Sequence, residues 1–213
     1  MGEQGGGSLG EKMRRIVFLD RDGVLIEPVV REGRPYPPAN KEEARLLPDA
    51  MDACRLLKSA GFLLVVVTNQ PDVARGSTPQ ESVEEIHSYL KLMLPLDDVF
   101  ACYHDDRDNC ECRKPKPGMI LEAARRWRCD PSGCYMVGDR WRDVEAGKRA
   151  GCKTLFIDYG YEEQLMSEPD VTVRSFREAS RRIVASEKLS RKGEYNGDRN
   201  RRDTDKNIRG RCR

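Results

Sequence analysis

The sequence predicts an α/β fold built on a doubly wound parallel sheet. Two observations carry that prediction. Short β-rich runs that are almost wholly apolar alternate with longer segments of helical period, and polar groups begin where several of those runs stop. The runs are Arg15–Leu19, Phe62–Val67, Val99–Tyr103, Tyr135–Val137 and Thr154–Ile157. Between them, Pro48–Ser59 has helical period and stops just before Gly61, a residue suited to the left-handed turn that closes a helix. Thr78-Pro-Gln-Glu81 offers an N-cap, a proline at the first helical position and a capping box. Further helices fit Pro117–Arg126, Arg142–Ala150 and Phe176–Ser186. The proline-rich segment Glu27–Leu47 is long for a strand-to-helix connection and reads either as a functional lid or as an ordinary surface excursion.

With 213 residues the chain has room for one domain of ordinary size, expected over 15–186. A glycine-rich leader, 1–14, precedes it, and a polar tail, 187–213, with almost nothing to bury, is expected to be disordered. The formal charge of +2 hides an asymmetry: the tail holds ten Lys/Arg against five Asp/Glu, a balance of +5, which leaves 2 − 5 = −3 on residues 1–186. Basic charge confined to a tail, away from any folded face, argues against a nucleic-acid partner. No stretch approaches the roughly 18–20 apolar residues needed to cross a bilayer, and the N-terminus does not read as a secretion signal. Eight cysteines in such a chain point to metal binding in a reducing compartment. The expectation is a cytoplasmic monomer with no membrane partner.

The first run delivers Asp20-Arg-Asp22-Gly23 to the carboxyl end of a strand, where open α/β sheets place their ligands. Two carboxylates two residues apart there can face one pocket. The stretch FLDRDGVL resembles the first motif of the haloacid dehalogenase superfamily. That resemblance implies a sheet of the same type with a minimal cap, and a phosphatase that works through a phospho-aspartate. Asp20 is then the nucleophile and Asp22 the general acid/base; a carboxylate ionised at neutral pH suits the first role, since it can form an acyl phosphate.

Thr68-Asn69-Gln70 and Gly138-Asp139, each at the end of an apolar run, resemble the second and fourth motifs of the superfamily. The resemblance makes Thr68 and neighbouring amides holders of the phosphoryl group, with Asn69 on the substrate. Asp20, the backbone carbonyl of Asp22, and Asp139 then become ligands of Mg²⁺, a hard cation that lets a phosphate dianion approach several carboxylates. Asp143 either orients a water or base, or is an acid at a helix N-terminus. In Arg113-Lys114-Pro115-Lys116 the family pattern makes Lys114 the phosphate-holding lysine and Arg113 a substrate-reading residue, with Lys116 the runner-up.

A second metal site is legible from spacing. Cys102-Tyr-His104 and Cys110-Glu-Cys112 are pairs two residues apart, so in extended backbone each pair points both side chains one way. A Cys₃His set suits tetrahedral zinc and leaves no open position, so this zinc would be structural. Cys54, Cys129, Cys134 and Cys152 read as small buried hydrophobes, and His87 as a surface or packing residue. With this cluster the chain from Arg15 to about Ile157 resembles the zinc-containing subgroup that includes heptose bisphosphate and histidinol-phosphate phosphatases. LVVVTNQ, CRKPKPGM and YMVGD favour a heptose bisphosphate as the small phosphorylated substrate, whereas the five-residue spacer between the ligand pairs resembles the histidinol type. Pro71-Asp72 and Arg140 depart from the commoner small pair and lysine of the heptose enzymes. Arg75 and Arg140 are candidates for a second phosphate or the sugar, or else for a helix surface. A reading from another class, a zinc-stabilised binding module without catalysis, is opposed by the intact set Asp20, Asp22, Thr68, Lys114 and Asp139.

Overall fold

The computed structural model describes residues 14–31 and 34–189. Six parallel strands form one sheet in the order β5-β4-β1-β6-β7-β8, where β1 is Ile16–Leu19, β4 Leu63–Asn69, β5 Asp98–Cys102, β6 Tyr135–Gly138, β7 Lys153–Ile157 and β8 Val171–Val173. The chain builds outward from β1 in one direction and then returns to build in the other, so the crevice of the topological switch opens at the carboxyl ends of β1, β4 and β6.

The alternation of side chains along β1 shows why its run has no polar face. Val17 and Leu19 enter one core, with Ala53 and Leu57 of α1 (Ala50–Ser59), Ile86 and Leu90 of α2 (Gln80–Met93), and Phe176 and Ile183 of the helix over 176–189. Ile16 and Phe18 enter the other, with Ile120 and Ala123 of α3 (Gly118–Trp127) and Ala146 of α4 (Trp141–Ala150). Both faces of a central parallel strand are therefore buried, as its apolar composition requires.

Three details differ from the sequence expectations. The proline-rich segment makes a small antiparallel hairpin, β2 (Val29–Arg31) with β3 (Arg34–Tyr36), and returns to the body through Glu27 N–H donating to Arg45 O and Leu47 N–H to Leu25 O. Thr78 does not cap α2, which starts at Gln80 behind an extended Pro79; the amides of Ser77 and Thr78 both donate to Asp72 O, closing the turn that follows β4. The last helix runs to 189, three residues into the stretch composition marks as tail, because Glu187 bonds Tyr135 and pairs with Arg15. The rest of the tail and nearly all of the leader lie outside the described residues. Among those described, no helix is long and apolar enough to cross a membrane.

Candidate active site

The floor of the crevice is a cluster of buried charge. Asp20 leaves β1 with its amide still donating to Val137 O, at 2.9 Å, so the first carboxylate is fixed by the sheet itself. Asp139 follows β6, and Gly23 lies against it: with φ of 82°, a Cβ there would come within 2.1 Å of Asp139 Oδ2. Only glycine allows both this turn and this approach. Lys114 Nζ, buried, donates to Asp20 Oδ1 at 2.8 Å, to Val67 O at 2.8 Å and to Asp143 Oδ1 at 2.5 Å. Burial by itself would discharge this lysine, but the charges of Asp143 and Asp20 outweigh it and raise its pKa, keeping it cationic.

Asp20, Asp139 and Asp143 each bring a carboxylate oxygen within 4.8 Å of the others, with a single lysine among them. Burial, then Asp20 and Asp143, push the Asp139 carboxyl well above the ordinary range; burial, then Asp20, push Asp143 to about 6 against the pull of Lys114. Asp139 Oδ1 is buried without a hydrogen-bond partner. An excess of negative charge together with an unsatisfied oxygen is what a divalent oxygen-seeking cation would relieve, so these residues fit Mg²⁺. Asp143 takes the place of an acid at a helix N-terminus: its Oδ2 accepts from Arg140 N–H at the start of α4, while Oδ1 meets Lys114.

Asp22 lies beside this cluster at the edge of a cavity of about 360 Å³. Its carboxylate is held by Arg21 and by Gln70, and Gln70 in turn donates to Thr68 Oγ1 at 2.8 Å. Asn69 faces the cavity, yet both ends of its amide are committed to the backbone of Lys114, at 2.9 and 3.0 Å. It thus aims the lysine. Lys116 stays outside the cavity, bonded to Asn109 and Glu111, whereas Lys114 lines it.

Four arginines, Arg75, Arg113, Arg140 and Arg142, line the cavity above the floor, and Pro28, Tyr36 and Pro37 of the hairpin segment close one side. The hairpin is thus a small cap. Arg75 is held by Asp105 at 2.7 Å and by Asp72 at 3.3 Å, and Arg140 by Glu163. Asp106 holds Arg113 at 2.9 Å and approaches Arg142 at 3.5 Å. Sequence reasoning missed Arg142, whose only signal was a second arginine just after Asp139. It also missed Arg21 and Gln70, hidden inside motifs as spacer residues.

The four zinc candidates converge. Cys102 Sγ lies 3.6 Å from His104 Nδ1, 3.6 Å from Cys110 Sγ and 3.2 Å from Cys112 Sγ, and Cys112 Sγ lies 3.3 Å from His104 Nδ1 and 3.4 Å from Cys110 Sγ. A tetrahedron with Zn–S bonds of about 2.3 Å has edges of about 3.8 Å, so the donor set is close to the size that ion demands. Arg113 follows Cys112 directly, and its NH1 donates to His104 O at 3.3 Å, so whatever fastens the cluster also fastens the strand of chain that presents Arg113 and Lys114.

Comparison with known proteins agrees with this geometry. Residues 37–151 match the family model of haloacid dehalogenase-like hydrolases. The chain belongs to that family. Its curated relatives include D-glycero-beta-D-manno-heptose-1,7-bisphosphate 7-phosphatases. The Pasteurella multocida protein is 34% identical over 156 residues, covering 68% of this chain and 82% of the relative. The Yersinia pestis protein is 36% identical over 153 residues, covering 66% and 78%. Among solved structures, the D,D-heptose 1,7-bisphosphate phosphatase of B. bronchiseptica, complexed with magnesium and phosphate, superposes with a TM-score of 0.68 at 28% identity, covering 82% of this hydrolase and 99% of that chain.

Proposed function

We propose that this hydrolase is a magnesium-dependent phosphatase that removes the 7-phosphate of D-glycero-D-manno-heptose 1,7-bisphosphate through a phospho-aspartate on Asp20. The observation that carries the reading is the floor: a carboxylate, Asp20, held by a buried lysine beside an acid with an unsatisfied oxygen, in a cavity also lined by four arginines. Magnesium, held by Asp20, Asp139 and the Asp22 carbonyl, would offset the repulsion between the floor and a phosphate dianion. Asp20 attacks phosphorus, the bond to the sugar oxygen breaks, and that oxygen takes a proton from Asp22. Water then attacks the phospho-aspartate and gives its proton to Asp22, releasing phosphate and restoring both carboxyl groups. Thr68 and Lys114 hold the phosphoryl oxygens. Arg75, Arg113, Arg140 and Arg142 are placed to receive a second phosphate.

Phosphate release from a panel of phosphorylated metabolites, ranked by kcat/KM, tests the substrate. The heptose bisphosphate is expected to lead, and its loss of the second phosphate to cost about 10-fold or more, the worth of one charge-assisted contact. The five-residue spacer in the zinc loop favours a second reading, histidinol phosphate. That substrate carries an amine and an imidazole where the bisphosphate carries an anion, and four arginines suit the anion better. A higher kcat/KM for histidinol phosphate would reverse the order.

Zinc held by Cys102, His104, Cys110 and Cys112 is part of the same proposal, as are a single domain over 15–186, carried on to 189 by its last helix, and a cytoplasmic monomer in a reducing compartment that keeps the thiols available. One zinc per chain is expected to survive dialysis that strips magnesium, because thiolates hold zinc far better than carboxylates and water hold Mg²⁺. Cys110→Ser should release it, lower the melting temperature and raise KM through the loosened Arg113, leaving chemistry at Asp20 possible. Metal analysis by mass spectrometry decides; a wild type without stoichiometric zinc removes the clip.

A further inference from the structure

Arg21, the spacer between the two motif aspartates, is wholly buried, the largest side chain in the described protein to be so. Burying a guanidinium is costly unless it is paired and its N–H groups are satisfied. Nε donates to Asp22 Oδ1 at 3.1 Å and NH2 to Oδ2 at 3.0 Å, a two-pronged grip that sets the plane of the carboxylate as well as its position. NH2 also donates to Gln70 Oε1 at 3.0 Å, and Gln70 Nε2 returns to Asp22 Oδ2 at 3.1 Å while donating to Thr68 Oγ1. NH1 faces His87 Nε2 at 3.5 Å, across from α2. His87 is itself buried, and burial followed by the Arg21 charge lowers its pKa to about 4, so at neutral pH it presents a ring nitrogen rather than a second cation. The backbone of Arg21 is committed as well: its carbonyl accepts from the amides of both Leu25 and Ile26, fixing the turn that carries Asp22.

These contacts fix Arg21 against Asp22, which lines the cavity, while Arg21 itself does not. We propose that Arg21, braced by Gln70 and His87, is a positioning residue for Asp22 in both proton transfers, and that with an ester whose leaving oxygen needs no proton its effect is confined to the second half of the reaction, when Asp22 takes the proton from the attacking water. The proposal rests on the phospho-aspartate reading above. Its logic is one of geometry. In the first half-reaction a leaving oxygen that is already a good anion needs no proton, so a misplaced Asp22 is tolerated. In the second half the nucleophile is always water, and its proton must go to an oxygen held in line. Gln70 Nε2 ties the Asp22 carboxylate, through Oδ2, to Thr68 Oγ1, so the phosphoryl holder and the proton acceptor keep one spacing through both steps.

The test uses an aryl phosphate with a good leaving group and follows both phenol and phosphate in the first turnovers of the full chain with magnesium. In Arg21→Met, kcat is expected to fall by about 10²-fold, the lower end of what a positioned acid/base supplies. Phenol should appear in a burst approaching one equivalent per chain, while kcat/KM for this ester stays within about 3-fold of wild type. For an alkyl phosphate, whose leaving oxygen does need a proton, kcat/KM should fall as well. Gln70→Leu, which removes the brace without removing a charge, should show the same pattern more weakly, and it carries the test alone if Arg21→Met fails to fold. The inference is overturned if the folded variants keep wild-type kcat, or if kcat and kcat/KM for the aryl ester fall together with no burst, the mark of a merely loosened fold. A wild type that releases no phosphate from any ester would instead bring down the phosphatase reading itself.

Discussion

Asp20→Asn is expected to lower turnover by on the order of 10⁴–10⁶, the scale seen when an activated nucleophile is removed elsewhere, with the fold intact. Asparagine keeps the shape and can still accept the hydrogen bond that Lys114 gives to Oδ1, but an amide does not attack phosphorus. The electrostatics predict a second outcome. The charge of Asp20 contributes to the upward shifts of both Asp139 and Asp143, so removing it relieves repulsion on the floor, and Lys114 still has Asp143 as a partner. Without magnesium at neutral pH, the variant should therefore melt no lower than the wild type. Steady-state kinetics together with thermal melts check both halves. Retention of more than about a tenth of the wild-type rate would sink the nucleophile assignment.

Lys114→Ala should cost on the order of 10²–10³ in kcat, the price of losing one preorganised charge aimed at the phosphoryl group. Here the damage extends to stability. Removing the lysine leaves Asp20 and Asp143 facing each other and Asp139 with no organic cation between them, and breaking a buried pair from one side costs roughly 3–5 kcal/mol. Magnesium should restore part of that loss, because a divalent ion neutralises the same carboxylates. The melting temperature of Lys114→Ala is thus expected to respond to magnesium more steeply than that of the wild type. Lys116→Ala removes only surface bonds to Asn109 and Glu111 and should leave stability within about 0.5 kcal/mol. A larger kinetic loss in Lys116→Ala than in Lys114→Ala would mean that the wrong lysine has been assigned.

The contrast between those two lysines marks the boundary of what a sequence discloses. Both stand in one motif two residues apart, and only the family pattern favours Lys114; the different surroundings of the two come from the tertiary structure, in which Asn69 clamps the Lys114 backbone from the end of β4 while Lys116 bonds Asn109 and Glu111 at the surface. Arg21 is a sharper instance. As a spacer it had no pattern to mark it, since the destination of its side chain depends on Gln70 and His87 from two later elements. The hairpin of β2 and β3 and the three-residue β8 escaped notice because short strands without alternation carry too little local signal against proline-rich or polar surroundings.

What the sequence determined by itself is local and periodic. The wholly apolar run of β1 demanded a strand covered on both faces, Asp20-x-Asp22-Gly23 had to follow it in the chain, and two pairs of ligands at period two had to present sulfur and imidazole together. The tertiary structure alone decided which charges meet: Lys114 with Asp20 and Asp143, across 94 and 29 residues, Asp139 left with an open oxygen, and four arginines at one rim. The physical reason is that a strand or a ligand pair is fixed by steric repeats within a few residues, whereas a buried charge is stable only opposite its partner, and that partner arrives from wherever the chain topology brings it.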